Sequence, residues 1–278
     1  MEDCTTPNAS VFERLKQRVF LFRSPWADIV QYVLLIAAII AFLAVNTSSL
    51  GYNWQWYRIP QYVLTFEEGH LVAGLLLQGL LFTFYISGVS LVLAMVIGLA
   101  TALGRLSDSF MTQAVTRTYL EVIRNTPLLV QIYLVYFVIG PIIGLGRFGS
   151  GVLALSLFEG SYMSEIFRAG IVSLHKGQWE ASHSLGLSTI DTYRDVILPQ
   201  AIRRISPPLV GEVISLVKNS ALVSLVSLSD LAMAARSIAA DTLLTFEVWF
   251  TTAAIYLLVT ITLSLIVNRM EKRFRILT

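Results

Sequence analysis

The chain has 278 residues, 55% of them hydrophobic and only 14% charged, with a formal net charge of +2 and a mean hydropathy of +0.70. Its apolar runs are too long for the core helices of a soluble domain. They are continuous and rich in Leu, Ala and Ile, which excludes a membrane barrel built from short alternating segments, and the single cysteine, Cys4, excludes a disulfide framework.

Hydropathy predicts six spans, at roughly 29–45, 80–103, 118–139, 150–170, 205–224 and 248–267. The fold class is therefore an all-α polytopic membrane protein of about six transmembrane helices. Residues 1–28 form a polar tail in which VFERLKQRVFLF sets Val11, Phe12, Leu15, Val19 and Phe22 near one face, with Arg14 and Arg18 off it. That pattern suits equally an interfacial helix and an ordered linker. The run at 29–45 exceeds a secretory signal core and reads as an uncleaved transmembrane anchor.

Residues 46–79 carry Tyr52, Trp54, Trp56, Tyr57 and Tyr62, the aromatic content of a headgroup region, and 71–79 reads as a re-entrant or interfacial piece. Residues 80–270 hold the remaining spans and 271–278 a short basic tail. Fifteen lysines and arginines fall in the segments on one side, against Arg58, Arg147 and Arg236 on the other. This asymmetry places both termini in the cytoplasm, together with the polar stretch 177–199, GQWEASHSLGLSTIDTYRDVILP.

That stretch is wide enough for a short helix, a turn and a second helix on the membrane surface. With Glu180, Ala181 and Ser182 at its head, Gly186 at the turn and Val196, Leu198 and Pro199 at its end, it resembles the EAA loop of ABC importer permeases. Ser182 and Val196 replace an Ala and an Ile of that pattern without changing the spacing. From residue 79 onward the resemblance narrows to the importers of polar amino acids. YLEVIRNTPLLVQIYLVYF (119–137) is similar to the Y-x-E-x-x-R-x-T-P-L-L-V-Q signature of that branch, as are SYMSEIFRAGI (161–171) and KNSALVSLVSLSDL (218–231) to its later segments.

The resemblance implies a type I ABC importer permease core at 80–270, with an extra N-terminal helix found only in some members. Its EAA loop would sit at 177–199, with Glu180, Ala181, Ser182, Leu185, Gly186 and Leu187 coupling to a separate ATPase. The implied partners are a second permease copy or homologue, two ABC ATPase subunits that carry ATP and Mg, an extracytoplasmic amino-acid-binding protein, and the lipid of a bacterial inner membrane. No cofactor on this chain, no nucleic acid and no enzymatic activity of its own are expected. In agreement, no G-x-x-x-x-G-K-S/T loop, nucleophile elbow or H-E-x-x-H motif occurs in the chain.

Charged residues within the spans supply candidates for a substrate pathway. Glu159, Glu212 and Lys218 fall in the expected apolar thickness, where ionisable groups face a partner or a watery cavity. Lys218 with Asn219 and Ser220 would suit the carboxylate of an amino acid, and Glu159 or Glu212 its ammonium; internal pairing of Lys218 with a carboxylate is the alternative. Glu121 with Arg124, and Glu165 with Arg168, stand three residues apart on helical faces. They are read as anchoring ion pairs or as charges at the mouth of the pathway. Pro127 predicts a kink in the third span, with Thr126 serving packing or a moving gate. Gly88, Gly98 and Gly104 predict close helix packing. His175 and His183 lack the companions of a metal site and read as a docking surface. A rival reading, an ion-coupled secondary transporter, would use the intramembrane carboxylates for coupling, but no inverted repeat is visible. A membrane scaffold that uses 177–199 only for docking is a third.

Overall fold

The computed structural model describes residues 25–49, 51–67 and 69–274, in two units divided between Trp54 and Gln55. The first unit contains helix α1 (Pro25–Ser49), which covers the 29–45 run and carries the apolar stretch Asp28–Phe42. The segment 11–22 lies outside the described residues.

In the second unit, the stretch 71–79, expected to be a re-entrant or interfacial piece, holds the end of a β-hairpin and the start of the next helix. Strands β1 (Leu64–Glu67) and β2 (His70–Ala73) pair antiparallel with Phe66 opposite Leu71, turning at Gly69 (φ 82°). Gly74 then caps helix α2 (Leu75–Leu106), whose apolar run begins where the strand ends. Hydropathy sees one continuous apolar segment there and cannot place the turn.

Helix α2 packs along α5 (Arg147–Val172), and small side chains make this possible. Ser87, Ser90, Ala94, Gly98 and Ala102 recur every three or four residues of α2 and are all buried, and Gly79 and Thr83 continue the buried stripe against Asp230–Ala234. A Cβ on Gly98 would stand 3.0 Å from the Gly160 carbonyl oxygen and from the Met163 Cβ, and one on Gly160 would stand 3.1 Å from the Ala94 carbonyl oxygen. The Ser156 hydroxyl donates across the same seam to the Ser90 carbonyl at 3.1 Å. Without a hydrophobic drive between helices in lipid, such close approach is what holds them. Leu81, Tyr85, Val92 and Val96 on the other face of α2 are exposed.

Helix α3 (Phe110–Arg124) is capped by the Ser109 side chain, which accepts from the Thr112 amide. The third predicted span, 118–139, is not one helix. It breaks at Asn125–Pro127, and the following segment, α4 (Leu128–Leu134) with its extension to Ile143, leaves at 108°. Pro127 has no amide hydrogen and takes an extended ψ of 137°, so it stands outside the helix as a cap rather than inside it as a kink.

After α5 come α6 (Lys176–Ser184), a helical lead from Thr189 to Ile197, α7 (Leu198–Asn219), α8 (Leu231–Thr242) and α9 (Thr245–Phe274). Among the described residues three helices are long and apolar enough to cross a membrane, Leu75–Leu106, Thr189–Val226 and Thr245–Val267; the bent α3–α4 pair brings the number to four. Helix α5 is helical over the whole predicted 150–170 span but lies outside this set. Three buried clusters join the elements: Ile86, Ile132, Leu155 and Val223 at the middle, Leu76, Leu231, Leu244 and Val248 toward the start of α2, and Ala102, Met163, Ile197 and Ala201 toward its end.

The three glycines of α2 expected to permit close packing, Gly88, Gly98 and Gly104, differ in their surroundings. Gly104 would place a Cβ 2.8 Å from the Thr116 Cγ2, whereas Gly88 has nothing within 4 Å, so a packing role is absent there. Gly98→Leu is expected to lower stability by about 1–3 kcal/mol through overpacking, read as a lower midpoint of thermal unfolding in detergent, while Gly88→Leu leaves the midpoint unchanged.

Candidate functional site

The stretch 177–199 forms the expected helix, turn and helix. His175 caps α6, its Nδ1 accepting from the Gly177 amide at 3.1 Å. At the other end Leu187 N donates to the Ser182 carbonyl at 3.1 Å and Gly186 N to the His183 carbonyl at 3.0 Å, with Gly186 at φ 74°. This is a Schellman termination, which satisfies the last carbonyls of the helix and requires a left-handed residue at the position Gly186 occupies. Ser188 then caps the next turn, accepting from the Asp191 amide at 3.2 Å. Trp179 packs edge-on against Tyr193 at 4.9 Å between ring centroids, and Gln200 Nε2 donates to the Gln178 side-chain oxygen at 3.1 Å, so the two helices close on each other.

Of the residues expected to couple, Ser182 is buried and donates to the Gln178 carbonyl at 2.7 Å. Glu180, Ala181, Leu185 and Gly186 are exposed and Leu187 is half-buried. Leu185 is 80% exposed and Ile190 78% exposed, apolar side chains held outward on a rigid turn.

A second polar centre gathers around Glu165. Its Oε1 accepts from the Arg168 Nε at 3.1 Å, as the three-residue spacing predicts, and its Oε2 accepts from Arg105 at the end of α2. Arg124 lies 3.8 Å from the same carboxylate and donates to the Ser161 carbonyl. The expected Glu121–Arg124 pair is not formed. Arg124 turns toward α5, where two acceptors stand, and Glu121 instead accepts from the Asn125 side chain at 3.0 Å. Arg105 was not among the candidates, since it stands sixty residues from Glu165 in sequence and no local spacing reveals it.

Side chains of the 119–137 motif close the helix break. The Thr126 hydroxyl donates to the Val122 carbonyl at 2.7 Å and the Asn125 amide to the Glu121 carbonyl at 2.8 Å. Gln131 Nε2 donates to the carbonyls of Ile123 at 2.7 Å and Thr126 at 2.8 Å. Pro127 has no amide hydrogen to offer Ile123, and the Thr126 amide turns to Ile123 rather than to Val122, so the Val122 and Ile123 carbonyls take side-chain donors in place of their helical ones. Gln131 is a motif residue whose role becomes readable only once the break is seen.

The third centre lies where α5 meets the end of α7. Glu159 is 1% exposed; its Oε1 accepts from Asn219 Nδ2 at 2.8 Å and its Oε2 has no hydrogen-bond partner among the described residues. Glu212 and Lys218 are the charged side chains that bear on it. Lys218 is exposed on this chain and has no ion pair among the described residues, so the alternative of internal pairing with a carboxylate finds no partner there. Ser220, expected beside it, is fully buried and donates to the Val217 carbonyl at 2.8 Å, so its hydroxyl serves the helix end.

The profile of the family described as binding-protein-dependent transport system inner membrane component matches residues 94–276, and the chain belongs to this family of ABC importer permeases. The glutamine transport system permease protein GlnP of Escherichia coli (strain K12) is 35% identical over 206 residues, which cover 73% of this chain and 94% of GlnP. The L-cystine transport system permease protein TcyB of Bacillus subtilis (strain 168) is 38% identical over 197 residues, 70% of this chain and 84% of TcyB. Among solved structures, a chain of an amino acid ABC transporter crystallised with histidines superposes with a TM-score of 0.67 at 38% identity, covering 72% of this chain and 94% of its own. A chain of the inward-facing MetNI methionine ABC transporter shares the fold, with a TM-score of 0.60 at 18% identity over 73% of this chain.

Proposed function

We propose that this permease carries polar amino acids into a bacterial cell by alternating access, as one of two permease subunits driven by two ATPases and supplied by an extracytoplasmic binding protein. The observation that carries the reading is the outward-facing turn at Leu185–Leu187, stiffened by its Schellman bonds and presented between two helices that lock on each other. Such a rigid apolar knob fits a cleft on a soluble partner, and both ATP and Mg belong to that partner. With the positive-inside asymmetry placing 177–199 in the cytoplasm, movement of the cleft is transmitted through α6 to the ends of α5 and α7. The printed substrates of relatives, glutamine and cystine, favour a polar amino acid.

In this reading Glu159, Asn219, Glu212 and Lys218 line the substrate path. Glu159 accepts from Asn219 and feels the charges of Glu212 and Lys218, and Lys218 has no ion pair among the described residues; a carboxylate and an ammonium are the pair of charges a zwitterion needs. Arg124 is committed to Ser161 and Glu165 and takes a structural part. A secondary transporter would have no use for the exposed turn.

The proposal is tested in the reconstituted complex by uptake and ATP hydrolysis with the loaded binding protein. Gly186→Val forces a β-branched residue into left-handed backbone, at a cost of about 1–2 kcal/mol, although nothing stands within 4 Å to clash. Normal membrane abundance with uptake lost is expected, and uptake at the wild-type rate would discard docking through this turn. Lys218→Met is expected to raise the substrate concentration for half-maximal uptake by tenfold or more, since a hydrogen bond to a charged group is worth roughly 1.5–3 kcal/mol. Unchanged uptake kinetics would remove Lys218 from the path.

A further inference from the structure

We infer that the cavity between the end of α2 and helix α3 holds the phosphodiester headgroup of an anionic phospholipid. The cavity measures about 290 Å³ and is lined by Arg105, Arg117, Leu120, Glu121, Arg124 and Asn125. Three guanidiniums face one carboxylate in this lining, and Glu121 is already engaged by Asn125. Outside it, Glu165 is shared among Arg105, Arg124 and Arg168. Four cations thus meet two anions, which leaves two positive charges uncompensated among the described residues. Arg117 has no ion pair there, and the buried Nε of Arg124 has no hydrogen-bond partner. Planar guanidinium donors at the rim of a cavity fit phosphate oxygens.

The surfaces beside the cavity identify the source of the phosphate. Arg117, Glu121 and Arg124 lie along one stripe of α3, and Met111, Val115 and Val122, exposed by 68%, 61% and 59%, lie along the opposite one. Leu103 and Leu106 at the end of α2 are exposed as well. An amphipathic helix of this kind lies where acyl chains meet headgroups. Basic pockets between membrane helices on the cytoplasmic side take anionic headgroups in the same way. A soluble phosphate would leave Leu103 and Leu106 bare, whereas a lipid covers them with its chains. The inference concerns the membrane and stands apart from the transported substrate.

Native mass spectrometry of the full chain, released from neutral detergent, tests it with phosphatidylglycerol, phosphatidylcholine and inorganic phosphate as probes. Phosphatidylglycerol is expected to bind about tenfold or more tightly than phosphatidylcholine. Arg117→Gln removes a side chain without an ion pair, so the fold is preserved, and is expected to lower the phosphatidylglycerol affinity about tenfold, the loss of one charge-assisted hydrogen bond. Arg203→Gln, an exposed arginine on α7, should leave it unchanged. Wild-type affinity in Arg117→Gln, or equal loss in Arg203→Gln, would overturn the site. Displacement of the lipid by millimolar inorganic phosphate would assign the cavity to a soluble anion and overturn the lipid.

Discussion

One carboxylate, Glu165 on α5, takes hydrogen bonds from Arg105 at the end of α2 and from Arg168 one turn along its own helix, with Arg124 at the end of α3 only 3.8 Å away. The side chains are 23–37% exposed, so any one of these pairs alone would contribute little. Their weight comes from sharing. The carboxylate draws three elements to one point, and without it three guanidiniums would crowd together at the edge of the apolar layer. From there the chain runs directly into α6, and Arg204 on α7 returns to the Ser173 carbonyl at 2.6 Å. The exposed turn is therefore built on a platform whose corners are tied by charge-assisted bonds.

The break between α3 and α4 depends on the same corner. A helix that turns by 108° leaves the Val122 and Ile123 carbonyls without their helical partners, and the Thr126 hydroxyl and the Gln131 amide supply donors to them. Arg124, the last residue of α3, is pinned to α5 at the Ser161 carbonyl. The motif from Tyr119 to Gln131 is thus a set of instructions for ending one helix and starting another: a donor for each orphan carbonyl, a proline that cannot continue the helix, and an arginine that fixes the direction of exit.

Much of this is legible in the sequence. The helix, turn and helix of 177–199 followed from composition and spacing, because Gly186 marks a left-handed turn that few other residues tolerate. Helices α2 and α9 followed from apolar length alone. Hydropathy failed where two elements share one apolar run, as at β2 and α2, and where a polar motif lies inside such a run, as at 125–127. It also assigned Lys218 a depth without saying which way the side chain faces. The hub at Glu165 was half visible: Arg168 is a helical neighbour, but Arg105 arrives through the small-residue seam between α2 and α5, a tertiary fact that no window of sequence contains.

The role of Glu165 is measured most directly by a double-mutant cycle on the full chain. The midpoints of thermal unfolding of Glu165→Gln, Arg105→Gln and the double variant are compared with the wild type in lipid nanodiscs. A shared hub predicts a coupling of about 1 kcal/mol or more between the two positions, beyond what an isolated exposed pair provides. Additive effects, within about 0.3 kcal/mol, would show that the two side chains are merely neighbours and that the platform beneath the exposed turn is held by packing alone.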